Sequence, residues 1–509
     1  MMDHYEQYQL FRDVQMEKIF PDGKTFVDCH AKQPMETLDK LYLAEKDRAG
    51  FSLEEFVRDH FIVPVPMQQD YVLKEGSTVR EHIEALWAKL VRPGIQGAGS
   101  KIALPYTYVV PGGRFGEMYY WDTYFTMLGL QVSRRTDVLQ GIIDNFSHLI
   151  DTIGYIPNGT RDYFIGRSQP PYYSLMLRLL AEENGEEVLV KYLPQLEKEY
   201  LFWMKGVKEL TPTQAASLHV VRMKGGELLN RYWDENETPR PESYREDVEM
   251  ADGLAGQNEA DKRLLYRNLR AGAESGWDFS SRWFDDVSSF NTIRTVDIIP
   301  VDLNCLLWHL EQTLSDAYSL AGNVQEKARY ELLALNRKSA IDRYLWDELK
   351  GFYFDYDIVK KYSTGQFTIA AATPLFFGLS SGEQARLVSM VIEEQFLVAG
   401  GLLTTLHETG QQWDAPNGWA PLQWIAIRGL EKYGFNALSG TIARRWVKLN
   451  TEVFERTGKL MEKYNVVDAG LDAGGGEYEG QDGFGWTNGV LLKLLETYPV
   501  NSLPAGDPG

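Results

Sequence analysis

The chain has 509 residues, enough for two to four ordinary domains or one large barrel, and its 44% hydrophobic and 24% charged composition is that of a folded globular protein. A formal net charge of -20 repels phosphate backbones and anionic lipid, so neither nucleic acid nor a membrane surface is an expected partner. No apolar run approaches the roughly 20 residues that span a bilayer, and the opening MMDHYEQYQLF has the features of no signal peptide, so a cytoplasmic monomer is expected, or a periplasmic one if a leader has been removed.

The first hundred residues read as short helices broken by Pro and Gly, an N-terminal extension (1–100) packed on a main body. Ser52 and Glu55 have the spacing of a helix-opening cap. From about residue 120 helical periodicity takes over. Leu139, Ile142, Ile143, Phe146, Leu149 and Ile150 make one apolar stripe, and Leu303, Leu306, Leu307 and Leu310 another. Asn323/Glu326 and Ser380/Glu383 mark further helix starts. Strand patterns are short: 219–223 with 227–231 predicts a hairpin around Gly225 and Gly226, and 351–356 is a further candidate. With about a dozen helical segments and no low-complexity linker, residues 101–498 are predicted to form one all-α body with minor short β-hairpins. The last residues, 499–509, read as a frayed tail.

Aromatic residues make up 13% of the chain, and many stand beside charged or amide side chains. That mixture suits a sugar, whose rings offer apolar C–H faces to aromatics and a rim of hydroxyls to carboxylates and guanidinium groups. Three segments concentrate it. Residues 111–124, PGGRFGEMYYWDTY, crowd Arg114, Glu117 and Asp122 among aromatics, a costly arrangement in a plain core because each buried polar group needs a partner. Residues 412–421, QWDAPNGWAP, read as a loop feeding a helix and aim Trp413 and Asp414 at a site. Residues 474–488 combine a glycine run with Glu477, Glu479 and Asp482. Cys29 and Cys305 stand apart from any CxxC or Cys/His cluster, the eight His are scattered, and no phosphate-binding glycine loop is evident, so no metal or cofactor is expected.

The first two segments match, at every fixed position, the patterns PGGRFxExYxWDxY and QWDxPxGWxP of the trehalase family of glycoside hydrolases. Similar stretches recur at 156–171, 239–243, 274–283, 459–466 and 474–490, so the chain resembles that family over at least residues 105–490. The resemblance implies an (α/α)6 barrel, hydrolysis of α,α-trehalose with inversion, and no cofactor. It implies Asp278 as general acid and Glu462 as general base. It further implies substrate contacts from Arg114, Phe115, Tyr119, Trp121, Asp122, Asn158, Arg167, Ser168, Gln169, Arg240, Pro241, Glu242, Gly276, Trp413 and Glu477.

Inverting hydrolysis needs one carboxyl to protonate the leaving oxygen and a second, roughly 6.5–9.5 Å away, to activate a water on the opposite face of the ring. Asp278 must then stay protonated at working pH, which burial beside Trp277 and Trp283 or a neighbouring carboxylate would favour. The residues alone leave other readings open. Asp278 has the setting of a helix N-cap, and Glu462 sits in a helix-like charged run with Lys459 and Lys463. Glu477 is then the alternative base, with Glu479 and Asp482 behind it, and Glu117 and Asp414 read as groups that shape the site. A non-catalytic sugar-binding protein, or a hydrolase of another α-glucoside, are the competing functions.

Overall fold

The computed structural model describes residues 5–64, 76–254, 258–471, 473–474 and 480–498. Four short helices open it: α1 (Gln9–Met16), α2 (Gly23–Val27), α3 (Met35–Glu45) and α4 (Leu53–His60). They gather around a small core of their own, in which Phe11, Phe26, Phe56 and Phe61 meet Tyr119, Phe164 and Tyr244 of the main body. Ser52 caps α4 through the Glu55 N–H as the spacing predicts.

The main body is helical: α5 (Val79–Leu90), α6 (Tyr120–Val132), α7 (Thr136–Ile153), α8 (Tyr173–Asn184), α9 (Glu187–Lys191), α10 (Leu193–Trp203), α11 (Tyr244–Asp252), α12 (Glu259–Glu274), α13 (Val301–Leu320), α14 (Val324–Tyr344), α15 (Thr373–Phe377), α16 (Gly382–Val391), α17 (Ala420–Lys432), α18 (Asn436–Thr457) and α19 (Gly485–Thr497). Helices α6, α8, α13, α15, α17 and α19 pack side to side in that order, and α19 returns to α6 to close the ring. Along the chain they alternate with α5, α7, α10, α14, α16 and α18, which wrap them, so the fold is an (α/α)6 barrel. Burial follows position: α6 and α17 are buried on nearly every face, whereas α7 buries one side, its stripe of Leu139, Ile142, Ile143, Phe146, Leu149 and Ile150 together with Val138, Gly141, Asn145 and Ser147.

Glycine closes the ring. A Cβ on Gly489 would stand 2.1 Å from the Phe125 carbonyl oxygen, and one on Gly129 would stand 2.5 Å from Gly489 Cα, so α6 and α19 approach more closely than any side chain allows. Helix α5 belongs to the outer layer of the barrel by its packing: Val79, Ile83, Trp87 and Leu90 join the barrel core, and Trp87 Nε1 donates to Ser133 Oγ at 2.9 Å.

The strands are few and short. Val220–Arg222 pairs with Leu228–Asn230 in the hairpin that the sequence predicts, and the 351–356 stretch divides between Phe352–Tyr353 and the start of Tyr356–Asp357. One predicted helix start moves by a residue. Ser381, not Ser380, caps α16 and forms a reciprocal box with Gln384, while the Ser380 carbonyl accepts from Tyr433 Oη at 2.6 Å and stays outside the helix.

Candidate active site

The loops at the N-terminal ends of the inner helices converge on one pocket. Helix α6 supplies Trp121 and Asp122 from its first turn, and the turn ahead of it supplies Arg114, Phe115 and Tyr119. Asn158, Arg167 and Gln169 come from the loop entering α8, Gly276 and Asp278 from the loop leaving α12, and Arg240 and Glu242 from the turn entering α11. Trp413 and Glu462 complete the set.

The loop carrying Asp278 is held by the 412–414 segment. Gln412 Nε2 donates to the Asp278 carbonyl, and the Trp413 N–H donates to the Phe279 carbonyl at 3.1 Å. The buried Asp414 carboxylate accepts from Ser280 Oγ at 2.8 Å, from the Ser281 N–H and Oγ at 2.9 Å each, and from Thr405 and Thr409 on its own side. Behind the loop Arg282 lies over the rings of Trp277 and Trp283 and is fixed by Asp302 and Asp355. Asp278 is therefore no helix cap; Ser280 caps the short turn that follows it.

Glu462 is not on a helix. It sits at a bend immediately before the strand Lys463–Asn465, which pairs antiparallel with Asn417–Trp419, because its backbone is tied across the fold. Its N–H donates to the Gln481 carbonyl at 2.8 Å, and its carbonyl accepts from Trp486 Nε1 at 2.8 Å. The side chain is buried in the pocket wall, not spread on a charged surface. Lys463 is buried beside it, donating to Gln412 Oε1 at 2.7 Å. Burial pushes the Lys463 ammonium down from its usual range, and the nearby Glu462 and Asp278 push it up. Asp122 feels the same two carboxyls. Burial drives it well above the usual carboxylate range, its own backbone N–H works against that, and Glu462 and Asp278 add to the rise.

Four tryptophans, Trp121, Trp413, Trp419 and Trp486, line the floor, and Trp277 backs them. Trp413 stacks on Trp419 with ring centroids 3.8 Å apart and on Trp277 at 5.5 Å, while Trp121 and Trp486 meet each other edge to face at 5.8 Å. The arginines stand on one side, each held by acids. Arg167 pairs with Asp234 and Glu242, and Arg240 grips Asp247 at 2.7 Å and lies over Phe279. Burial alone would raise the Glu242 carboxyl, but Arg167, Arg240 and Arg270 outweigh it and hold the group below its usual range. Arg114 Nη2 pairs with Asp22 at 3.2 Å.

Ser168 and Pro241 stand beside the pocket without lining it. The Ser168 hydroxyl donates to the Ile156 carbonyl at 2.6 Å, and the Pro241 carbonyl accepts from Gln15. Glu477 and Glu479 lie outside the described residues, as do 499–509. Glu117 pairs with Lys24 and Arg161 behind Tyr119, whose hydroxyl it accepts at 2.8 Å. Sequence reasoning passed over Asp22, Gly23 and Lys24, which also line the pocket, along with Phe164, Trp419, Phe484 and Trp486. The aromatics stood inside family-like stretches and could have been found there; the N-terminal three carried only a Pro-Asp-Gly turn signal. Among the described residues no group of three or more His, Cys, Asp or Glu has the arrangement of a metal site.

A carboxylate-, arginine- and tryptophan-lined pocket at the N-terminal end of an (α/α)6 barrel is the architecture of an α/α-barrel glycosidase. The Trehalase family model matches residues 18–499. The chain is 49% identical over 493 residues to a periplasmic trehalase of Xanthomonas campestris pv. campestris, covering 96% of this chain and 86% of that one. It is 44% identical over 506 residues to a periplasmic trehalase of Salmonella newport, covering 98% and 88%. Among solved structures, neutral trehalase Nth1 from Saccharomyces cerevisiae superposes with a TM-score of 0.65 at 26% identity, over 84% of this chain and 82% of that one. A mannosylglycerate hydrolase from Thermus thermophilus shares the fold, with a TM-score of 0.54 at 19% identity over 82% of this chain and 99% of that one. The chain belongs to the trehalase family.

Proposed function

We propose that this chain hydrolyses α,α-trehalose to two glucose molecules by inversion, with Asp278 as general acid and Glu462 as general base. The observation that carries the reading is that these two carboxyls, from distant parts of the sequence, line one pocket together with Asp122, three arginines and a tryptophan floor. Asp278 gives its proton to the glycosidic oxygen as the bond to the anomeric carbon breaks, and one glucose leaves. Glu462 takes a proton from the water that attacks that carbon from the opposite face, so one product is released as the β-anomer.

The neighbours have matching tasks. Burial favours the protonated form of Asp122, the form that exchanges hydrogen bonds with a sugar hydroxyl while adding least negative charge beside the two catalytic groups. Lys463 limits the repulsion among the carboxyls. Arg167 and Arg240 are pre-positioned by acids, which suits them to hold hydroxyls in fixed directions. Ser168 and Pro241 support these contacts from behind, and Glu477 is proposed as a further sugar contact.

Trehalose is the proposed partner of a monomer in which α1–α4, the first part of the expected 1–100 extension, pack on the catalytic body, while α5 belongs to the barrel itself. The names of the Xanthomonas and Salmonella relatives support the periplasmic alternative over the cytoplasmic one. No helix of the described residues is long and apolar enough to cross a membrane. The test is glucose release from trehalose against maltose, sucrose and kojibiose. Trehalose-selective turnover that falls on the order of 10²–10⁴-fold in both Asp278→Asn and Glu462→Gln is the expected result. No turnover on any disaccharide would leave a sugar-binding protein, and an active Glu462→Gln would move the base to Glu477.

A further inference from the structure

The pocket is not built by the barrel alone. Helix α2 presses against the turn that carries Arg240 and Glu242. A Cβ on Gly23 would stand 2.8 Å from the Glu242 carbonyl oxygen, and Gln15 Nε2 clips the two segments together by donating to the Gly23 and Pro241 carbonyls. Lys24 then crosses the seam as a buried charge, 2.7 Å from Glu117 and 2.5 Å from Asp28, with Arg161 closing the cluster. An apolar seam would hold the extension at least as well, because buried ion pairs add little net stability. What the ions add is position: Glu117 is the acceptor that fixes the Tyr119 hydroxyl, and Tyr119 and Phe115, edge to face at 5.3 Å, form one pocket wall.

Depth sorts the lining residues. Asp122, Trp413 and Glu462 are buried, whereas the side chains of Asp22 and Arg114 are 31% and 23% exposed and mark the mouth. We propose that the extension is a working wall of the pocket. In this reading, which rests on the trehalose assignment above, Asp22 with Arg114 contacts the outer, leaving glucose unit, and Lys24 is a positioning residue acting through Glu117 on Tyr119.

The full chain is assayed on trehalose and on α-D-glucosyl fluoride, whose leaving group is not a sugar and needs no outer subsite. Asp22→Asn is isosteric and part-exposed. It is expected to lower the ratio of the two kcat/KM values, trehalose over fluoride, about tenfold, mainly through KM for trehalose. Lys24→Met is expected to lower the same ratio and Lys24→Arg to restore most of it. An unchanged ratio in Asp22→Asn, whether both substrates are kept or both lost, overturns the proposal. Lys24→Met losing both substrates in step with its Tm overturns the positioning role. Wild-type protein that turns over the fluoride but not trehalose overturns the trehalose assignment itself.

Discussion

Asp414 accepts both the backbone N–H and the hydroxyl of Ser281, each at 2.9 Å, and through them fixes the turn three residues beyond Asp278. With Ser280, Thr405 and Thr409 on the same carboxylate, it is a fully buried hub that does not itself line the pocket. Asp414→Ala removes the acceptor of five donors, of which only the Thr405 hydroxyl has another at hand, the His407 carbonyl. A loss of roughly 3–5 kcal/mol in stability is expected, measured by urea unfolding. In the fraction that stays folded, kcat should fall far more than KM rises, because the acid loop is misplaced while the sugar contacts remain. An equal change in both would mean that the hub supports binding rather than the acid.

Lys463 gives a prediction about pH. Its ammonium stands near both Glu462 and Asp278, and a cation favours the ionised form of each. Lys463→Met should therefore raise both carboxyls. The acidic limb of the kcat/KM profile, where the base must be ionised, moves to higher pH, and the alkaline limb, where the acid must keep its proton, moves the same way. A shift of about one pH unit is expected, read from initial rates between pH 4 and 9. Limbs that stay in place would show that Lys463 only packs against Trp419, over whose ring it lies at 5.4 Å.

Locality decides what the sequence discloses. The stripe of Leu139 to Ile150 is written at helical spacing, and all six residues are buried in α7. Glu462 also sits in a helix-like charged run, yet it lies at a bend ahead of a strand, because what holds it is non-local: Gln481, Trp486 and the strand at Asn417–Trp419. Periodicity cannot register those bonds. The Ser380/Glu383 pair fails for a similar reason, since Tyr433, just past the end of α17, holds the Ser380 carbonyl. At the pocket, the residues in dense aromatic motifs were legible as a group. Lys24 was not, because a lysine reads as surface until Glu117 and Asp28 are seen around it.

Ring closure can be tested at one atom. Gly489→Ala places a methyl against the Phe125 carbonyl, which neither helix can avoid without moving apart. A destabilisation of roughly 1–3 kcal/mol or more is expected from overpacking. Gly382→Ala, at the start of α16 with open space around it, serves as the comparison and should change stability by no more than about 0.5 kcal/mol. Equal effects would mean that the α6–α19 seam is looser than its glycines imply.

Glu199 links the barrel to alkaline pH. It is buried on α10, accepts the Tyr120 hydroxyl at the first turn of α6, and burial pushes its carboxyl up from 4.5 to about 8, with the Tyr120 bond pulling the other way. Its folded-state pKa is thus above its unfolded value, so its contribution is fully present below about pH 4.5 and is lost as pH rises through about 8. The displacement corresponds to about 5 kcal/mol at the limit, an order-of-magnitude figure. Glu199→Gln keeps an acceptor for Tyr120 and cannot ionise. Its stability relative to wild type should therefore rise steadily from pH 5 to 8 and level off above, followed by thermal unfolding across that series. Parallel curves for the two proteins would mean that Glu199 ionises no less readily when folded than when unfolded, and that water or a cation reaches it beside Tyr120.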